Sequence, residues 1–384
     1  MFEGRSDRRT LITLGAIVLL AGCKVIPKGV PEPAPPPTPA PTDNLPADQA
    51  RHRVALLVPL TGPNAAVGQS IANATTMALL DTNAKSLRIT TYDIAEGPAE
   101  AASKAIADGN RLILGPIQAE DVPPIATIAR AAKVPLVTYT GSTGVAARDV
   151  FVMATLSEAS LARTVSYAAK TGSKRFALLA PKGDYGQRAA AAYAEAIQAA
   201  GGTLVQTQTY DRSNTSVISA AQRLKTRGGF DAVLIADSAR FAVQAAAQIK
   251  SPGAAVPRIL GPELWNGEAA IYSSPSMRGA LFSAISDTRF RTFAESYKTR
   301  FGAAPYRMAT MGYDSVLLSI RVARDWQPGT QFPLARITDR GGFLGIDGPF
   351  RFGANGVIDR ALEVRQIQAK GVSIVSPAPD RFVD

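Results

Sequence analysis

"LILGPIQAEDVPPIATIARAAKVPLVTYTGS", Leu112 to Ser142, packs a strand, a helix and a second strand into one short stretch. Arg111 to Leu114 is an apolar run that stops at Gly115-Pro116, and Val122 to Ala132 has the length and alanine content of a helix. Leu136 to Tyr139 is a second β-branched and aromatic run, stopped by Thr140, Gly141 and Ser142. A helix between two short apolar runs brings them together as parallel neighbours, because parallel strands need a crossover of about a dozen residues.

The same alternation continues on both sides. Val54 to Val58, Leu87 to Tyr92, Phe176 to Leu179, Leu204 to Tyr210, Ala232 to Ala236 and Arg258 to Leu260 read as strands. Ser70 to Leu80, Ala99 to Ala107, Ser157 to Lys170, Gly186 to Ala200 and Val217 to Thr226 read as helices between them. The fold class this predicts is α/β, with mostly parallel sheets flanked by helices on both faces. Residues 53 to 376 exceed the usual length of one domain, so two lobes are expected.

The first fifty residues have a different composition. Arg5, Arg8 and Arg9 precede an apolar run from Leu11 to Leu20, then Ala21, Gly22 and Cys23. A basic segment, a short apolar segment and a small-residue processing site read as an export signal over residues 1 to 22, too short to span a bilayer comfortably. Cys23 is the only cysteine in 384 residues. Residues 23 to 52 are then rich in proline, alanine and threonine, with too little apolar surface to fold alone. In polyproline II form such a linker reaches on the order of 80 Å.

Composition removes several chemistries. With His52 the only histidine and Cys23 the only cysteine, a serine–histidine–acid triad, a histidine-rich zinc site, a cysteine nucleophile and an internal disulfide all lack their parts. Walker, dinucleotide-binding and nucleophile-elbow spacings are missing from the sequence. The expectation is no catalytic residue, no metal and no cofactor, although carboxylate chemistry stays open with 31 acidic residues. The formal charge is +11, or +10 after residues 1 to 22, and the cations are scattered singly. That distribution suits a solvated basic surface facing anionic envelope polymers or an acidic partner, not nucleic acid.

In parallel α/β sheets a ligand sits where the carboxyl ends of strands meet helix N-termini. The loops Pro59 to Gly68, Gly115 to Asp121, Thr140 to Gly144 and Pro181 to Gly186 occupy such places, and each reads equally as a plain strand-to-helix turn.

The quoted stretch, preceded by "VALLVPLTGPNAAVG" and followed in order by "GDYGQ", "ILGPELW", "RTFAESYKTRFGAAP", "MGYDSVLLSI" and "FLGIDGPFRFGANGV", resembles the leucine/isoleucine/valine-binding proteins, the type I periplasmic binding fold. The resemblance implies two lobes joined by three crossings, expected near Thr155, Ser286 and Phe343. Lobe one would comprise 53–155 and 287–342, lobe two 156–286 and 343–376, and 377–384 a tail. It also implies a ligand cleft drawing on Thr61, Gly115, Pro116, Gln118, Thr140, Gly141, Ser142, Asp184, Tyr185, Asp237, Glu263 and Trp265. The acid for a ligand ammonium is expected shortly after Ala232–Ala236, where Arg240 or Phe241 stands instead and Asp237 is the only nearby acid. An alanine, Ala119, stands where the family carries a serine.

Leu20-Ala21-Gly22-Cys23 resembles the bacterial lipobox, which implies lipidation at Cys23 and membrane attachment, and Lys24 leans toward the outer membrane. Anchor, linker and altered amino-acid site together resemble the penicillin-binding protein activators. They imply an envelope lipoprotein that regulates a peptidoglycan synthase by contact. The alternative is a substrate-binding lipoprotein serving an ABC permease for branched-chain or related amino acids. An enzyme acting on cell-wall material, through Glu263 or Asp184, is the third reading.

Overall fold

Val54 to Val58 are wholly buried, as an uninterrupted apolar run requires when helices cover both faces of a parallel sheet. In the computed structural model, which describes residues 50–95, 97–250 and 256–382, this run is the body of β1 (His52–Val58). It is followed by α1 (Ala65–Asp81), β2 (Leu87–Asp93), α2 (Pro98–Ala107), β3 (Leu112–Leu114), α3 (Val122–Ala131), β4 (Leu136–Thr138) and β5 (Val150–Val152). The strands lie in the order β2-β1-β3-β4-β5 and every pairing is parallel. The export signal over 1–22, the Cys23 lipidation site and the linker up to residue 49 lie outside the described residues.

The second sheet is built from α4 (Ser157–Lys170), β6 (Arg175–Pro181), α5 (Asp184–Ala199), β7 (Thr203–Tyr210), α6 (Ser216–Arg227), β8 (Ala232–Ile235), α7 (Ala239–Ile249), β9 (Arg258–Gly261), α8 (Ala269–Ser273) and β10 (Leu281–Ala284). The chain then returns through α9 (Thr288–Phe301) and α10 (Ala309–Ala323) to β11 (Phe343–Gly345), β12 (Gly348–Phe352), β13 (Ile358–Arg360), β14 (Glu363–Ile367) and β15 (Val372–Ser376). The second sheet runs β15-β14-β10-β9-β8-β6-β7, parallel from β10 to β7 and antiparallel at β14 and β15.

Both lobes use one device to bring a helix onto its strand. An added Cβ at Gly68 of α1 would lie 1.8 Å from the Pro59 carbonyl oxygen, and one at Gly186 of α5 would lie 1.8 Å from that of Pro181. Only glycine lets the first turn of each helix close on the strand end. Gly115 does similar work between strands: its φ is +92° and a Cβ would meet the Leu57 carbonyl at 2.0 Å.

Two expected boundaries are corrected. His52, assigned to the linker, is the first residue of β1, buried and stacked on Trp326 at 4.2 Å. The third crossing does not fall at Phe343. Phe343, Phe350, Phe352 and Ile358 pack into the core of lobe one with Phe151 and Val316, and Val152 bridges Val357. The aromatic side chains of the β11–β13 sheet find their apolar partners on lobe one, and burying a phenylalanine there is worth about 3–5 kcal/mol relative to alanine. The first two crossings run through residues 153–156 and 285–287, and the third through 361–362.

Candidate functional site

Parallel registers align the carboxyl ends of β1, β3 and β4 on lobe one. Much of what lies there is structural. The exposed Thr61 hydroxyl donates to Asp93 Oδ2 at 2.8 Å, while Asp93 Oδ1 accepts from the amides of Leu60 and Ala95. Thr61 thus ties the β1–α1 loop to the end of β2. Gly115 and Pro116 are buried, and the Pro116 carbonyl accepts from the Thr138 hydroxyl at 2.9 Å and the Tyr139 amide at 2.8 Å. Gln118 is half-buried ahead of α3. Thr140 is buried, and its hydroxyl oxygen accepts from the Ser142 amide at 3.2 Å, which shapes a loop whose Gly141 and Ser142 stay exposed.

Lobe two presents the charged half. Asp184 opens α5 and is exposed; Tyr185 beside it is half-buried. The Tyr185 hydroxyl is buried without a hydrogen-bond partner, and burial, followed by the charge of Glu263, raises its pKa above the ordinary phenol value. Ser157, the first residue of α4, donates its hydroxyl to Glu263 Oε1. Glu263 Oε2 is buried with no hydrogen-bond partner. Removal from water pushes the Glu263 carboxyl above its usual range. Trp265 is fully buried, its Nε1 donating to the Asp237 carbonyl at 2.9 Å. Gly261 makes room for it, since a Cβ there would lie 2.3 Å from the indole.

Asp237 is not the open acid that its position after β8 suggested. It is 1 % exposed. Its carboxylate accepts from Arg212 Nε and Nη2, each at 2.9 Å, from the Tyr210 hydroxyl and from the Ser238 amide. Every lone-pair direction is taken within the protein, so the acid with an oxygen to spare is Glu263, at the end of the next strand. Arg240 lies over the Phe241 ring at 5.5 Å. Sequence reasoning missed Arg212, Tyr210 and Ser157 as members of the site; a polar signal was available only at Arg212, where a lone arginine follows the last residues of a strand.

A small cavity of about 140 Å³ joins the lobes at this place. Gly141 of lobe one, Thr155 of the first crossing, and Ser157, Glu158, Tyr185 and Arg188 of lobe two contribute to its wall. A hollow of about 670 Å³ runs along β12 and β13 beside Arg340 and Arg351, away from both sets of strand ends. Two others, about 440 Å³ beside Lys250 and Arg258 and about 400 Å³ beside His52 and Trp326, lie at the amino ends of the strands. Their positions oppose the loops and helix N-termini that make ligand sites in this architecture. No cluster of histidine, cysteine or carboxylate side chains suited to a metal occurs among the described residues.

The chain belongs to the periplasmic binding protein family, whose model matches residues 52–372. It is similar in structure to a putative branched-chain amino acid ABC transporter protein from Rhodospirillum rubrum, with 20% identity, 85% of this chain and 100% of that chain covered, and a TM-score of 0.74. It is also similar to the leucine-binding protein LivK of Thermotoga maritima, with 21% identity, 86% and 99% coverage and a TM-score of 0.57. A solute-binding protein of an R. palustris ABC transporter in complex with benzoate gives 18%, 86% and 97%, and 0.56. At these identities the likeness defines the fold: two lobes, each a mostly parallel sheet between helices, of the type I periplasmic binding class. No curated protein sequence matches the chain.

Proposed function

We propose that the protein is the ligand-binding component of an ABC importer and that it takes a small amino compound, an α-amino acid or a close relative, in the cleft. The observation that carries this reading is Glu263 Oε2, a buried carboxylate oxygen without a partner, on a side chain whose other oxygen accepts from Ser157 of the cavity wall shared by the lobes. A carboxylate in that condition is stabilised by an incoming ammonium, which supplies both charge and a hydrogen-bond donor. The Thr140–Ser142 loop across the cleft, with Gly141 in the cavity wall, suits the carboxylate end of the same ligand. Family membership and the transporter proteins among the structural neighbours support the same assignment. In this reading Cys23 carries the lipid tether, the linker sets its reach, and the protein partner is the permease.

A second reading, contact activation of a peptidoglycan synthase from the outer membrane, is favoured by Lys24 and the proline-rich stretch. The cleft favours the receptor. Thermal shifts of the purified protein decide between them: an amino acid at 100 times its dissociation constant adds about 2.7 kcal/mol of stability, and Glu263→Gln removes the shift. If amino acids leave the melting temperature unmoved while the protein retains a synthase in pull-down, the receptor reading fails.

A further inference from the structure

The cleft face of lobe two holds a charged device that the reading above leaves unused. Arg212 sits in the loop between β7 and α6, with one edge of its guanidinium closed by Asp237. Asp237 is itself fixed by Tyr210, Ser238 and the Trp265 contact to its carbonyl. The guanidinium lies over the Tyr185 ring at 5.1 Å, and the arginine side chain remains 43% exposed. A planar cation bonded along one edge and stacked on a ring has little rotational freedom left to lose, so its free edge is prepared for a planar acceptor.

Tyr185 links this cation to the ligand site. It lines the cavity with Gly141 and Ser157, and its hydroxyl lies within electrostatic reach of Glu263, Asp237, Arg212 and Glu158. Arg212, over the ring, and Glu263, bonded to the neighbouring wall residue Ser157, thus serve one site, the first presenting donors and the second an acceptor. We propose that Arg212 determines specificity, selecting amino compounds that carry a further carboxylate or amide group over those with a purely aliphatic side chain. An aliphatic group against the guanidinium strips water from its donors without replacing it. A site built to hydrogen-bond discriminates against an analogue lacking the group far more strongly than an apolar pocket discriminates by size.

The inference rests on the Glu263 reading, and one experiment separates their fates. Titration calorimetry of the purified protein compares pairs of similar size: glutamine and glutamate against leucine, and 2-aminoadipate against norleucine. The acceptor-bearing member is expected to bind more than about tenfold tighter. Arg212→Gln combined with Asp237→Asn, which strands no buried charge, brings that ratio close to one. Arg212→Lys, which keeps the charge but loses the planar fork, brings it down part of the way and serves if the double variant does not fold. Leucine binding as well as glutamine to the unaltered protein, or both members weakening equally in the variants, overturns selection by Arg212 and leaves the Glu263 reading standing. Failure of every amino compound to bind the unaltered protein overturns both.

Discussion

Arg365 Nη1 lies 2.7 Å from Asp287 Oδ2, so a side chain of β14 holds the segment that carries the chain from β10 to α9. Its Nη2 donates to the Ile285 carbonyl and its Nε to Glu363 Oε1, placing one buried guanidinium between the second and third crossings. Arg365→Met leaves the buried Glu363 carboxylate unpaired and is expected to lose about 3–5 kcal/mol. Asp287 is 37% exposed, and Asp287→Ala is expected to lose no more than about 1 kcal/mol. Urea denaturation of both variants measures the difference; equal losses would show that the clamp contributes nothing beyond an ordinary surface pair.

Gly68→Ala and Gly186→Ala each force a methyl into a proline carbonyl 1.8 Å away. Each is expected to lose about 1–3 kcal/mol as the helix is pushed off its strand. Gly144→Ala meets nothing within 4 Å and should change stability by less than about 0.5 kcal/mol. Thermal melts of the three variants provide the comparison, and it fails if Gly144→Ala matches the other two.

Burial raises the Glu263 pKa above its ordinary 4.5, so the folded protein holds this proton more tightly than the unfolded chain. Stability from this group is greatest below the unfolded value and falls as pH rises from 4.5 toward the folded value. Glu263→Gln is therefore expected to raise the melting temperature more at pH 7.5 than at pH 4. Ligand ammonium opposes the shift, so binding near the raised pKa should release protons, which calorimetry in buffers of different ionisation enthalpy detects. Proton uptake on binding would contradict the assigned contact.

Arg360 Nη1 lies 3.6 Å from Asp314 Oδ2 and 4.0 Å from Asp347 Oδ2, with all three residues buried. Asp314 also accepts from the Ile346 amide at 2.6 Å, and Asp347 is met by Arg307 at 2.7 Å. The cluster pins the β11–β12 turn to α10 in lobe one. Arg360→Met removes one cation from between two buried carboxylates, and a loss of about 3–5 kcal/mol is expected. Faster amide exchange across residues 343–360, with 175–261 unchanged, is the signature; slow exchange there would mean the aromatic packing holds the sheet alone.

The central parallel strands were legible because both of their faces are buried, so each appears as an apolar run between turn residues; the edge strands β2 and β7 are partly exposed and were legible from their β-branched residues. Val150–Val152 and Leu281–Ala284 are as short as β3 and β9, but neither ends at a Gly-Pro step that would mark where the strand stops. The β11–β13 sheet was misassigned because its pattern identifies strands but not the lobe that Phe343 and Phe350 will bury against. At the site, the family resemblance pointed to Tyr185 and Glu263. Asp237 is occupied by Arg212, 25 residues away in sequence. Pairings between separate loops leave no spacing signal in a chain.

The corrected third crossing confines any relative rotation of the lobes. The Ala361 amide donates to the Pro349 carbonyl of β12, whereas the Leu362 carbonyl accepts from Arg163 of α4 at 3.1 Å. Consecutive residues are thus fastened to opposite bodies, and both are buried. Opening the cleft cannot draw on slack in this strand; it must turn on the backbone torsions of two neighbouring residues, as a door turns on a pin.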